Sequence, residues 1–141
     1  MHLEKRIHVA CAVETAFTTF TVQIDTWWPP GHRKSVDSQL ILEPFVGGRF
    51  LEIGPDGDEF VLGTVRAWEF PRRVCYSWRP GSPAAPTEVE VCFVAEGDGT
   101  SVQVSHRPGP TSNDDAFGAA VQRFERGWAI VLAAFDTACR R

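Results

Sequence analysis

The feature that most constrains the fold is an apolar stripe in the last quarter of the chain. Its members recur every three or four positions and share one arc, roughly 100° wide, on a helical wheel. They are Phe117, Val121, Phe124, Trp128, Val131, Leu132 and Phe135. The stripe predicts an amphipathic helix over residues 113–139, roughly 25 residues and about 38 Å long, with Ser112 or Asn113 as its N-cap. Such a helix closes a hydrophobic core or forms the wall of a ligand cavity.

The rest of the chain alternates like a series of strands, with one helical interruption. Residues 4–11 predict a first strand, and the spacing after Glu14 predicts helical structure that ends at Trp27-Trp28, before two prolines. Six further strands are predicted at about 39–43, 47–54, 59–69, 73–79, 87–95 and 100–107. Because each junction is short and rich in glycine, proline or aspartate, consecutive strands are expected to pair as hairpins.

One sheet needs a partner for its apolar face, and the last helix is the only predicted element long enough to cover it. The chain of 141 residues therefore predicts a single α+β domain over residues 1–141. It consists of a curved antiparallel sheet of about seven strands around the long C-terminal helix, with two short helices after the first strand. A strongly twisted sheet does not close tightly around one helix everywhere, which favours a cavity between them.

Composition excludes several classes of function. The formal net charge of -4 gives no electrostatic basis for binding nucleic acid or an anionic membrane. No apolar run approaches the roughly 20 residues of a membrane span. The N-terminal residues lack the apolar stretch of a signal peptide, so a cytoplasmic location is expected.

No pattern of metal-binding or catalytic residues is present. The four cysteines, at 11, 75, 92 and 139, lack the spacing of a zinc site or a redox pair and are expected to be reduced packing residues. The four histidines are scattered, and no nucleophile motif or phosphate-binding glycine loop occurs. The sequence therefore predicts no metal, no cofactor and no catalytic residue, while leaving the question of an enzyme open.

Six segments together resemble one known family. They are "AFTTFT" at 16–21, "WWPP" at 27–30, "LEPFVGGRFLEI" at 42–53, "GTVRAWEFPRRVCYSWRPG" at 63–81, "VQVSH" at 102–106 and "RGWAIVL" at 126–132, within the element order described above. In this order the chain resembles the START-like (birch-pollen-allergen-like, SRPBCC) helix-grip superfamily, and within it the branch named after the activator of heat-shock-protein-90 ATPase homologue. The resemblance covers essentially the whole chain.

The resemblance implies the helix-grip fold but leaves three functions open. The leading expectation is binding of a small hydrophobic or aromatic molecule between the C-terminal helix and the sheet. The alternatives are a co-chaperone-like module that stimulates a chaperone ATPase, and a cyclase- or dehydratase-type enzyme that uses polar residues of the pocket. A monomer or a homodimer is expected.

Ten residues are the candidate ligand contacts. They are Trp27, Trp28, Tyr76, Trp78, Phe93, His106, Phe117, Val121, Phe124 and Trp128. The resemblance places the Trp27-Trp28 segment at the mouth of the pocket. Because neighbouring helical residues point about 100° apart, one of these two indoles is expected inside and the other near an opening. Gly127, beside Trp128, would allow close approach of another segment or be of no structural consequence.

His106 and Tyr76 are the polar candidates. His106 continues the phase of Val102 and Val104, so it is expected to face the helix, either as a polar anchor for a ligand or bonded to a protein group near the strand end. We expect the anchor role. Tyr76 is a second anchor or a strand aromatic whose hydroxyl reaches water.

The charged residues of 42–53 favour a structural role. Glu43, Arg49 and Glu52 flank one predicted hairpin, so an Arg–Glu pair across the strands is expected rather than catalysis. The pattern does not decide which face of 47–54 is buried.

Overall fold

Seven antiparallel strands curl around one long helix. The computed structural model describes residues 2–79, 85–111 and 114–141. Within them the strands are β1 (Leu3–Val9), β2 (Gln39–Leu42), β3 (Arg49–Ile53), β4 (Glu59–Glu69), β5 (Arg73–Trp78), β6 (Thr87–Glu96) and β7 (Gly99–Pro108). The helices are α1 (Val13–Phe20) and α2 (Asp114–Cys139), with 3-10 turns at Ile24–Thr26 and Pro30–His32. The predicted fold class is confirmed, and each predicted strand lies within two residues of its observed bounds.

The sheet is a meander with the first strand added at the end. Its order is β1-β7-β6-β5-β4-β3-β2, so each strand from β2 to β7 pairs with its neighbour in sequence. The short loops allow this, and Gly97 supplies a positive φ of 59° in the β6–β7 turn. Opposite residues in the ladders face the same side of the sheet, and one such row joins Tyr76, Val89 and His106 across β5, β6 and β7.

α1 is shorter than its apolar spacing suggests. Phe17 and Phe20 are buried as expected, but the α-helix ends at Phe20 rather than at the tryptophan pair. Thr21 follows, and its hydroxyl donates to the Phe17 carbonyl over 2.7 Å. β-branched residues have low helix propensity, so the chain continues as a separate 3-10 turn at Ile24–Thr26.

α2 covers the concave face of the sheet with the predicted stripe. Phe117, Val131, Leu132 and Phe135 are at most 4% exposed, and Trp128 is 7% exposed. The prediction of one amphipathic helix is therefore confirmed. The expected N-cap, residue 112 or 113, lies outside the described residues.

The predicted Arg–Glu pair forms on the protein surface. Arg49 Nε donates to Glu43 Oε1 over 3.1 Å, and this bond lowers the pKa of the Glu43 carboxyl. Glu52 has a different role, because it is 2% exposed and accepts hydrogen bonds from the Lys34 amide and the Ser38 hydroxyl. Both carboxylates therefore hold the β2–β3 region in place.

The four cysteines are free thiols. Cys75 and Cys139 are buried, and burial raises the pKa of the Cys75 thiol to about 11. A thiol with a raised pKa is a poor nucleophile, which agrees with the predicted packing role.

Candidate functional site: a cavity between the last helix and the sheet

A cavity of about 300 Å³ lies where α2 faces the open end of the sheet. Within the described chain its lining residues are Trp28, His32, Trp78, His106, Arg123, Phe124, Gly127, Trp128 and Val131. The volume falls at the lower end of small-molecule sites, which are typically apolar with a few placed polar groups. The cavity is therefore the candidate functional site.

The α2 wall of the cavity comes from about two turns of helix. Phe124, Trp128 and Val131 recur at spacings of four and three, which places their side chains on one face. Gly127 lies beside them. A Cβ built there would meet its nearest atom, His32 Cε1, at 3.7 Å, an ordinary contact. Gly127 is therefore not required for another segment to approach α2 closely. The absence of a side chain there leaves space in the cavity.

The tryptophan pair divides between the core and the cavity. Trp27 is 6% exposed, donates from Nε1 to the Thr19 carbonyl over 2.7 Å, and packs against Phe135 with ring centroids 5.2 Å apart. Trp28 is 5% exposed and lines the cavity, with Nε1 donating to the His32 carbonyl. One indole therefore lies in the core and the other borders the cavity, although both are buried.

Arg123 and His32 are the exposed lining residues and form what we call the rim of the cavity. Arg123 projects from α2 and its guanidinium carbon lies 5.5 Å from the Phe124 ring centroid, a cation–π contact. His32 lies in the 3-10 turn Pro30–His32 and also lines the cavity, and its ring makes no hydrogen bond to a described residue. Among the described lining residues no carboxylate occurs, so no lining side chain offsets the charge of Arg123.

His106 lies in the cavity wall at the centre of a chain of hydrogen bonds. It is 1% exposed, and its Nδ1 accepts from Trp128 Nε1 over 3.0 Å. Its Nε2 is 2.7 Å from Thr87 Oγ1, which donates to the Trp78 carbonyl at 3.2 Å. The chain joins α2, β7, β6 and β5 through three side chains.

The partners of His106 fix its tautomer. An indole N–H only donates, so Nδ1 must carry a lone pair, and the proton of the neutral ring lies on Nε2 and is donated to Thr87. Burial lowers the pKa of His106 to about 4, so the ring is neutral at pH 7. Both ring nitrogens thus bond to protein groups, as in the alternative in which His106 is held by partners within the protein. The ring itself still borders the cavity, so a ligand contact with it stays a prediction.

Half of the ten predicted contact residues line the cavity. These are Trp28, Trp78, His106, Phe124 and Trp128. The other five lie outside its lining: Trp27, Tyr76, Phe93, Phe117 and Val121. The stripe on α2 and the inward face of the sheet are longer than the cavity, so residues of the same phase fill the core beyond it. Phe93, for example, packs against Phe17 at 5.3 Å.

Two lining residues, His32 and Arg123, were not predicted from the sequence. His32 reaches the rim because the chain turns back after Pro29-Pro30, and no periodic pattern predicts that turn. Arg123 directly precedes a member of the apolar stripe, the position from which a long cationic side chain borders an apolar surface. The position of Arg123 next to the apolar stripe was the sequence feature from which its place at the cavity could have been predicted.

Neither a metal cluster nor a membrane-spanning helix is found in the described parts of the chain. No group of three or more His, Cys, Asp or Glu side chains there is arranged to hold a metal ion. No helix there is long and apolar enough to cross a bilayer.

A curled seven-stranded sheet, one long helix across it and an aromatic cavity between them define a helix-grip domain. Residues 10–139 match the family model described as "Activator of Hsp90 ATPase homolog 1-like protein". The chain belongs to that family. No protein with a curated description matches it in sequence.

Solved structures agree with this assignment. Protein Ms6760 from Mycobacterium smegmatis superposes with a TM-score of 0.73 at 16% identity, covering 97% of this chain and 89% of that one. The Aha1 dimer from Colwellia psychrerythraea gives 0.67 at 16% identity, covering 99% and 96%. At this identity both show the fold alone. The anthrahydroquino-γ-pyrone synthase Txn09, complexed with SUM, is 32% identical over 96% of this chain and 95% of its own, with a TM-score of 0.63.

Proposed function

We propose that this protein binds a planar aromatic molecule in the cavity between α2 and the sheet. The observation that carries the proposal is the presence of three indole rings, those of Trp28, Trp78 and Trp128, around one cavity of about 300 Å³. Flat aromatic rings offer large apolar area with few rotatable bonds, and they stack well on flat ligands. The three rings come from three separate segments of the chain, so folding brings them together without a ligand.

The similarity to Txn09 supports a fused aromatic ring system as the ligand class. That protein is named for a product with an anthrahydroquinone core, and it is 32% identical to this chain over nearly the full length of both. A tricyclic aromatic compound of the polyketide type matches the flat apolar walls described above. It also matches the broader expectation of a hydrophobic or aromatic ligand.

The rim adds a preference for a weakly acidic ligand. Arg123 and His32 are the exposed residues of the lining, and an arginine guanidinium is a cationic donor of hydrogen bonds. A phenol or carboxylate on the outer edge of the ring system would lie beside them while the rings stay among the indoles. A neutral hydrocarbon would leave this part of the site unused.

Tryptophan emission tests the proposal. Titration with anthraquinone-2-carboxylate should quench the emission saturably, because three of the five tryptophans line the cavity. The control is Trp68→Phe, which removes an indole that packs against Phe17 outside the cavity lining. This variant should bind with the same midpoint. A linear, unsaturable change in the wild type would contradict the proposal.

A cyclase-type enzyme is the second candidate, and one observation favours it: the identity to a protein named as a synthase. Ring closure moves protons, and His106 cannot accept one while both its nitrogens are bonded. His32 is the better candidate base, since its ring lies on the rim and bonds to no described residue. Chromatography should then show closure of an open-chain anthrahydroquinone precursor by the wild type, slowed in His32→Gln with little change in affinity.

The chaperone alternative rests on the name of the family alone. No contact or cavity described above favours a protein partner over a small molecule. The expectation of a monomer or homodimer also stays a prediction.

A further inference from the structure

The hydroxyl of Tyr76 is buried without a hydrogen-bond partner among the residues that the structure describes. Its side chain lies at the centre of the domain and is 0% exposed. Burial raises the pKa of Tyr76 far above its ordinary value, so the oxygen keeps its proton and remains a donor. Folded proteins rarely leave a buried hydroxyl unpaired, because the group loses its hydrogen bonds to water.

Tyr76 lies beside the cavity on the same face of the sheet. The ladder row Tyr76–Val89–His106 spans three neighbouring strands, so Tyr76 is about 10 Å across the sheet from the imidazole in the cavity wall. Trp78, two residues further along β5, points to the same face and lines the cavity. The unpaired Tyr76 hydroxyl thus lies next to the cavity, although Tyr76 is not one of the lining residues of the cavity.

A cluster of aromatic rings separates Tyr76 from the cavity. The Tyr76 ring lies 5.3 Å from Phe50 and 6.5 Å from Trp78, between ring centroids. Trp28 contacts the same two rings, at 6.0 and 6.1 Å, and its own ring borders the cavity. One layer of indoles, those of Trp28 and Trp78, therefore belongs to both the cavity and the cluster around Tyr76.

Trp78 is the less restrained of these two indoles. Trp28 donates its N–H to the His32 carbonyl, and Trp128 on the opposite wall donates to His106. The N–H of Trp78 donates to no described residue, and its side chain is only half-buried at the end of β5. Rotation of this ring would therefore break no hydrogen bond to a described residue.

We infer that Tyr76 is the inner anchor of the ligand site: with Trp78 turned aside, its hydroxyl donates a hydrogen bond to a carbonyl oxygen on the inner ring of the ligand. This rests on the proposed function and narrows it to aromatic ketones and quinones. Such a ligand places its acidic edge at the Arg123 rim and its carbonyl at Tyr76. An aromatic hydrocarbon of the same shape leaves the hydroxyl unpaired, so the site selects against it.

The test compares two ligands of matched shape on two proteins by isothermal titration calorimetry. Anthraquinone-2-carboxylate carries ring carbonyls, and anthracene-2-carboxylate has none. Tyr76→Phe should weaken binding of the quinone by about tenfold, the loss of one buried hydrogen bond, and leave binding of the anthracene within about twofold. The melting temperature of free Tyr76→Phe should equal or exceed that of the wild type, since the variant removes an unpaired group.

Each contrary outcome has a distinct meaning. Equal quinone affinity in Tyr76→Phe and wild type overturns the anchor and leaves the proposed function intact. A lower melting temperature of free Tyr76→Phe also overturns it, because the hydroxyl then has a partner in the unliganded protein. Failure of the wild type to bind either compound overturns the proposed function together with this inference.

Discussion

Trp128 Nε1 donates to His106 Nδ1 across 3.0 Å, and this bond attaches α2 to β7 at the wall of the cavity. Because the donor is an indole, the bond also decides that His106 is neutral and carries its proton on Nε2. The bond therefore sets the position of two cavity walls and the charge of the one buried imidazole between them.

Thr87 completes this arrangement, so its hydroxyl should contribute to stability. Thr87→Val keeps the shape but leaves the Nε2–H of His106 without an acceptor. An unpaired buried donor costs about 1–3 kcal/mol, and urea denaturation should show a loss of that size in the free energy of unfolding. The matched control is Thr137→Val, whose hydroxyl bonds to Ala133 on an exposed part of α2. Equal losses in the two variants would contradict the account.

Stability should fall at acidic pH because of His106. Its pKa is about 4 in the folded protein, below the ordinary value of about 6.5, so the unfolded chain takes up the proton first as pH falls. The stabilisation is present above about pH 6.5 and is lost as pH falls toward 4, at no more than about 1.4 kcal/mol per pH unit. Urea midpoints of wild type should therefore decline more steeply over this range than those of His106→Gln. Parallel curves would show that the imidazole titrates alike in both states.

The sequence predicts the helices, strands and topology of this protein better than the residues that line its cavity. The α2 stripe, the strands and the hairpins follow from periodicity and from glycine, proline and aspartate in the turns, which are local signals. The inward direction of His106 followed from the phase of β7 in the same way. The end of α1 at Phe20 did not, because the apolar spacing continues to Ile24, past the β-branched Thr21 and Val22 at which the α-helix stops.

Periodicity in the sequence does not predict which side chains contact one another in the folded protein. His106 meets Trp128 and Thr87 only after α2 and β6 have folded against β7. His32 and Arg123 line the same cavity although about ninety residues of sequence separate them. The stripe that predicts a buried face also gives no indication of where the core ends and the cavity begins, so half of the predicted contacts lie in the core.

The rim charge should affect acidic ligands specifically. Arg123→Gln should weaken binding of anthraquinone-2-carboxylate about two- to fivefold at low salt, the usual contribution of an exposed ion pair. Binding of the uncharged anthraquinone-2-carboxamide should not change, and added salt should reduce the difference. Arg126→Gln serves as the control, since Arg126 is an exposed residue of the same helix outside the cavity lining. The same loss for acid and amide would argue against a charge effect.

Gly127→Ala should stabilise the protein. Alanine is favoured over glycine inside a helix by about 1 kcal/mol, and the added Cβ meets only an ordinary contact with His32. Thermal and urea unfolding should both report the increase. A decrease would show that the glycine is required for packing at this point of α2.

The most direct test of the account is a calorimetric titration of anthraquinone-2-carboxylate into the wild type and Gly127→Leu, with Gly127→Ala as the control for the backbone change. Gly127 faces the cavity, so a leucine there fills the space that the ligand would occupy. We predict saturable binding to the wild type at one site per chain, retained binding to Gly127→Ala, and loss of binding in a fully folded Gly127→Leu. Undiminished binding to folded Gly127→Leu, or no saturable heat with the wild type, would contradict the claim that this cavity is the ligand site.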